Sequence, residues 1–172
     1  LFPYTTLFRS GAEFLKAARK GGYAVGGYNT NNLEWTQAIL EAAEAKKAPV
    51  LIQTSMGAAK YMGGYKVAKD MITNLVDSMN ITVPVAIHLD HGDYEAALEC
   101  IEVGYTSIMF DGSHLPFEEN LKLAKDVVEK AHAKGISVEC EVGSIGGEED
   151  GIIGTGELAD IEECKQMVAT GI

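Results

Sequence analysis

Val83-Pro84-Val85-Ala86-Ile87-His88-Leu89-Asp90-His91-Gly92 is an apolar run with no helical period that closes on a polar cluster. β-branched and aliphatic residues without a 3.6-residue repeat read as a buried strand, and Gly92 lets the backbone turn sharply. The cluster therefore stands where a strand meets a loop. Side chains alternate along a strand, so Asp90 and His91 cannot point the same way unless the strand ends or twists between them. Such a break would present a carboxylate and an imidazole side by side at the strand's carboxyl end. The competing reading is that these polar groups only satisfy each other inside a core.

Outward from this strand the chain alternates two periods with little linker. Upstream, Phe14, Leu15 and Ala18 form a short helical face ending at Gly21-Gly22, and residues 23–28 read as a strand closing on Asn29. Asn31 or Asn32 can cap the next helix, whose apolar positions Leu33, Ala38, Ile39 and Ala42 run up to Pro49. Residues 50–54 are a second buried strand ending at Ser55 and Gly57, followed by a long helical region with Val67, Met71, Leu75 and Val76 on one side. Downstream, Asp93 can cap a helix with Ala97, Cys100 and Ile101 inward, stopped by Gly104. Residues 106–110 are a fourth strand, closed by Asp111-Gly112. Pro116 suits the first turn of a helix running to Lys134, with Gly135 just past its end. Residues 136–142 are a fifth strand carrying Glu139 and Glu141 on one face and Cys140 on the other. The Gly-rich segment 143–156, with Glu148, Glu149 and Asp150 inside it, reads as a mobile lid. Asp160 and Glu163 have capping-box spacing for a last helix.

Strands alternating with helices imply right-handed βαβ units and a parallel sheet, and nearly continuous apolar strands imply cover on both faces. Polar residues then choose between a closed barrel and an open doubly wound sheet. Asn29, Ser55, Asp90 with His91, Asp111 and Glu141 each end a different strand, which is where barrel enzymes assemble their sites; an open sheet concentrates them at one switch point. The expected fold is α/β, a (β/α)8 barrel truncated to about its first five βα units. His91, Asp111 and Glu141 offer one nitrogen and two carboxylates on one rim, a donor set for zinc or another divalent ion. The plainer alternatives are that Asp111 starts a turn before Gly112 and that Glu141 is a buried acid paired with a lysine. His88 reads as a hydrogen-bonded interior group, His114 as a loop residue and His132 as solvated. The acidic run 148–150 is either a solvated cluster or, beside the rim, a source of a catalytic acid.

With 172 residues and 47% apolar content the chain fits one domain with a sizeable core. A formal net charge of −11 repels phosphate backbones and anionic membranes alike, so neither nucleic acid nor a membrane is an expected partner. Cys100, Cys140 and Cys164 are odd in number and widely spaced, which argues against a disulfide framework and for a reducing cytoplasm. Residues 1–10 have no period that continues past Gly11 and look like a translated adapter oligonucleotide, so the expected domain is 11–172. The sequence stops at the apparent entry to another strand, as an amino-terminal fragment would.

Two motifs, the 83–92 run and VECEVGSIGGEE at 138–149, resemble class II, metal-dependent fructose-bisphosphate (ketose-bisphosphate) aldolases; YAVGGYNTNNLE at 23–34 and DGSHLPFEEN at 111–120 extend the likeness. The resemblance implies zinc-dependent, reversible cleavage of fructose 1,6-bisphosphate to dihydroxyacetone phosphate and glyceraldehyde 3-phosphate, with tagatose bisphosphate as the alternative substrate. It implies Asp90 as the catalytic proton donor and acceptor, His91 as a zinc ligand, and Asp111 and Glu141 at a second or alternate metal position. It further implies Glu149 as the acid that handles the enolate proton, and Asn29 and Ser55 as substrate contacts. A monovalent cation, two more zinc histidines and the phosphate loops would belong to sequence beyond residue 172, and the complete protein would be a homodimer or larger. No lysine ends the fourth or fifth strand as a Schiff-base nucleophile, which agrees with metal chemistry. A reading of a different class is a non-catalytic partial barrel with exposed sheet edges.

Overall fold

The computed structural model describes residues 8–149, 152–154 and 156–172, with the backbone alone at 148, 149 and 152–154. Strands β1 (Gly26–Asn29), β2 (Val50–Ser55), β3 (Val85–Gly92), β4 (Ser107–Phe110) and β5 (Ser137–Cys140) form one sheet. Their spatial order is their sequence order, and every neighbouring pair is parallel. A doubly wound sheet would reverse direction partway; this one does not, so the fold is α/β with the wall of five βα units of a β/α barrel. The helices are α1 (Gly11–Gly21), α2 (Leu33–Lys46), α3 (Met56–Met62), α4 (Tyr65–Ser78), α5 (Tyr94–Val103), α6 (Phe117–His132) and α7 (Ile161–Val168).

Alternation along the strands sorts residues onto two unlike faces. Val50, Ile52, Val85, Ile87, Leu89, Ile108, Phe110 and Val138 pack outward against α2 and α4–α7 in one core with Leu40, Ile72, Val76, Ile101, Val127 and Met167. Each such side chain taken fully from water contributes about 1.5–3 kcal/mol. The inner face carries a small apolar patch, Leu51 and Ala86 with Phe14 of α1, and then turns polar. A Cβ on Gly11 would lie 3.2 Å from Ser107 Oγ and 3.3 Å from Ser137 Oγ, so α1 lies close against the amino-terminal ends of β4 and β5. The outer face is apolar and covered by helices, whereas Gln53, His88, Asp90, Ser107 and Ser137 line the inner face beyond the small patch under α1.

Several boundaries shift for identifiable reasons. Asn32, not Asn31, caps α2, accepting from Trp35 N at 2.8 Å, and the helix buries Thr36, Leu40 and Ala43. Leu33, Ala38 and Ala42, expected inside, are exposed. The long helical region is broken at Gly63 and Gly64, whose φ values of 102° and 118° end α3 and start α4. Segment 143–156 is not a plain loop: β6 (Gly147–Glu149) and β7 (Ile152–Gly154) pair antiparallel, and its neck is closed by Ser144 N donating to Glu157 O at 2.9 Å. Helix α6 ends at His132, with Gly135 at φ 73° beyond it. Phe8 and Arg9, which lie in the adapter-like leader, touch the start of β3, Arg9 N donating to Val85 O at 3.1 Å. The entry to β3 is held from α2 as well: the Glu44 carboxylate accepts from Thr82 N at 2.7 Å and Val83 N at 3.3 Å.

Candidate active site and metal centre

Strand β3 does break between Asp90 and His91. His88 pairs with Ser107 and Leu89 with Ile108, but Gly92 pairs with Phe110, so β3 spends one more residue than β4 over the same stretch. This bulge turns His91 into the left-handed region at φ 48°. Gly92 is needed for a different reason than a turn: a Cβ there would lie 2.2 Å from Leu89 Cδ2. Asp90 stays on the interior face, and His91 swings toward the ends of β4 and β5.

Here three sequence-predicted residues meet. His91 Nδ1 lies 2.9 Å from Asp111 Oδ2 and 3.7 Å from Glu141 Oε2, and one donor atom from each residue falls within 4.8 Å of the other two. Ligand atoms around a tetrahedral zinc ion sit roughly 3.4 Å apart. The two observed spacings straddle that value, and the nitrogen and two carboxylates are a donor set for zinc or a similar divalent ion, so these residues fit one. The three side chains are only 15–20% exposed. Burial works to raise the Asp111 carboxyl, but hydrogen bonds from His91 and Ser113 outweigh it and hold the group below its ordinary range. Asp111 and Glu141 both face His91, and Asp111 also accepts from Ser113 N at 3.0 Å, the turn role that was its plainer reading.

Asp90 is held apart from this cluster. Asn29 Nδ2 donates to its Oδ2 at 2.7 Å and Gln53 Nε2 to its Oδ1 at 3.0 Å. One amide on each oxygen fixes the carboxylate plane without neutralising it, which suits a group that must take up and return a proton. Gln53 was missed in the sequence; the signal was an amide two residues before Ser55 on the inward side of a buried strand. Ser55 stands in register with Asp90, but its Oγ accepts from Ala58 N at 3.3 Å as the cap of α3. The Glu149 side chain lies outside the described residues. His88, 2% exposed, is the interior group expected, receiving a chain in which Ser137 Oγ donates to Ser107 Oγ at 3.0 Å and Ser107 Oγ faces His88 Nδ1 at 2.8 Å. Its Nε2 lies 3.8 Å from Glu139 Oε2, but burial pushes His88 down to about 4, so the contact is not an ion pair at neutral pH. His114 and His132 are exposed, as expected.

A family model described as "Fructose-bisphosphate aldolase class-II" matches residues 9–172. The chain belongs to the class II fructose-bisphosphate aldolases. A fructose-bisphosphate aldolase of Streptococcus pneumoniae is 83% identical over 163 residues, which are 95% of this chain and 56% of that protein. One of Geobacillus stearothermophilus is 55% identical, covering 93% of this chain and 57% of that protein. The chain thus spans a little over half the length of the class II aldolases it matches. Among solved structures, the YdjI aldolase of Escherichia coli K12 superposes with a TM-score of 0.81 at 28% identity, over 95% of this chain and 59% of that one. A Coccidioides immitis structure described as a fructose-1,6-bisphosphate aldolase gives a TM-score of 0.84 at 34% identity, over 95% of this chain and 58% of that one.

Proposed function

We propose that the complete protein is a zinc-dependent fructose 1,6-bisphosphate aldolase, a lyase of glycolysis and gluconeogenesis acting in the cytoplasm as a homodimer or larger assembly. The observation that carries this is the division of the rim into a ligand cluster, His91 with Asp111 and Glu141, and a separately braced acid–base group, Asp90. A divalent ion in the cluster, when bound, would polarise the ketose carbonyl and accept the charge that develops beside it. Asp90 would take the C4 hydroxyl proton as the C3–C4 bond breaks, and return it in the direction of synthesis. Asn29 and Gln53 would keep its two oxygens aimed during that exchange. Asn29 and Ser55 would contact substrate, and Glu149 would move the second proton, the one that converts the carbanion to product. Tagatose bisphosphate, which differs at one stereocentre, is the alternative substrate.

Among the described residues, β1 and β5 each pair on one side only, leaving two backbone edges open. One imidazole and two carboxylates also hold zinc less tightly than a closed site with more histidines. Residues 1–172 alone are therefore expected to give no aldol cleavage, and a longer form supplying the remaining barrel, without residues 1–10, is expected to be active with zinc. The assay is triose phosphate release from fructose and tagatose bisphosphates. Turnover by the short form would overturn the fragment argument in favour of a self-sufficient half-barrel. A folded, zinc-loaded, inactive long form would overturn the aldolase reading.

A further inference from the structure

The buried amide of Asn120, in the first turn of α6, is explained by nothing in the core around it. It is 2% exposed, and its Oδ1 has no hydrogen-bond partner among the described residues. Its Nδ2 donates to the backbone oxygen of Glu141 at 2.9 Å. The amide cannot be turned over, because Oδ1 would then face a carbonyl oxygen, acceptor against acceptor. Oδ1 points instead at Gly112, where an added Cβ would lie 2.5 Å from it and 2.9 Å from the amide carbon. The bond to Glu141 O accounts for the amide nitrogen, but an unpaired buried acceptor is destabilising, so stability does not account for Oδ1.

Its two contacts do account for it. Glu141 is the first residue past the end of β5, where the ladder has stopped, and the Asn120 bond anchors the backbone from which its carboxylate projects. Gly112 directly follows Asp111, whose own N donates to Gly92 O at 2.9 Å. One side chain thus lies against the backbone behind both carboxylates of the ligand cluster. We propose that Asn120, seated against Gly112, is a positioning residue that sets the spacing of Asp111 and Glu141 for metal binding. This rests on reading His91, Asp111 and Glu141 as a metal centre.

The test is titration of the 172-residue chain with Co²⁺, following the visible absorption of the bound ion, beside N120L, G112A and H91A variants, each checked by far-UV circular dichroism. N120L and G112A should keep the native spectrum, weaken Co²⁺ by about tenfold or more, and alter the cobalt absorption bands. A purely structural asparagine would lower the denaturation midpoint of N120L without altering the cobalt absorption bands. H91A should lose the cobalt spectrum. If the parent chain binds no Co²⁺, or H91A binds it equally well, the metal-centre reading falls and takes the positioning role with it. If binding depends on His91 but N120L and G112A match the parent in affinity and absorption, the positioning role alone is overturned. Should N120L fail to fold, G112A decides, since it retains the amide and only displaces it.

Discussion

Gln53 and Asp90, on adjacent strands and 37 residues apart, are joined by an amide-to-carboxylate hydrogen bond of 3.0 Å. With Asn29 on the other oxygen, Gln53 completes a brace around the proposed acid–base group. Replacing it with leucine should lower kcat of the complete enzyme about tenfold or more, since a hydrogen bond to a charged group is worth about 1.5–3 kcal/mol. Zinc content should not change. Unaltered kcat in Gln53→Leu would show that the brace is incidental.

The two halves of the rim should separate on mutation. Asp90→Ala is expected to reduce turnover by about 10²–10⁴-fold with metal content intact, the usual worth of general acid–base catalysis. His91→Ala should lose metal as well as activity, because His91 is the only nitrogen donor in the cluster. Metal analysis of both purified variants checks this; equal metal loss would mean the roles are wrongly divided.

His88 should give the fold a pH dependence of definite sign. Burial depresses its folded-state value from 6.5 to about 4, so the unfolded chain binds a proton there that the folded chain refuses. The stabilisation is present in full above pH 6.5, is lost as pH falls toward 4, and amounts to roughly 3 kcal/mol. Denaturant midpoints measured across this range should fall with pH in the parent and much less in His88→Gln. Parallel curves would rule His88 out as the source.

Gly92→Ala tests the bulge. The added methyl would meet Leu89, a fully buried core residue, at 2.2 Å. Overpacking of this kind costs about 1–3 kcal/mol and would move the backbone that carries His91. A lower denaturation midpoint together with weaker Co²⁺ binding is expected. An unchanged midpoint would show that Leu89 can yield, and with it that the bulge does not depend on glycine.

The five strands in order, the barrel class and the gathering of His91, Asp111 and Glu141 on one rim were legible in the chain, because each rests on local chemistry: alternation, caps, and a polar residue where an apolar run stops. A break between Asp90 and His91 was legible too, since no straight strand can present both. How that break is made depended on the fold, because a bulge is defined by the neighbouring strand's register, and here the positive φ falls on His91 while Gly92 answers to Leu89. The inward stripe of α2 was misread because apolar residues stand on more than one side of that helix, and packing against the sheet buries Thr36, Leu40 and Ala43 instead. Gln53 and Asn120 were invisible in the chain for one shared reason. Each acts through a partner 37 or 21 residues away, and an amide on a buried face has no meaning in sequence until packing names the group it touches.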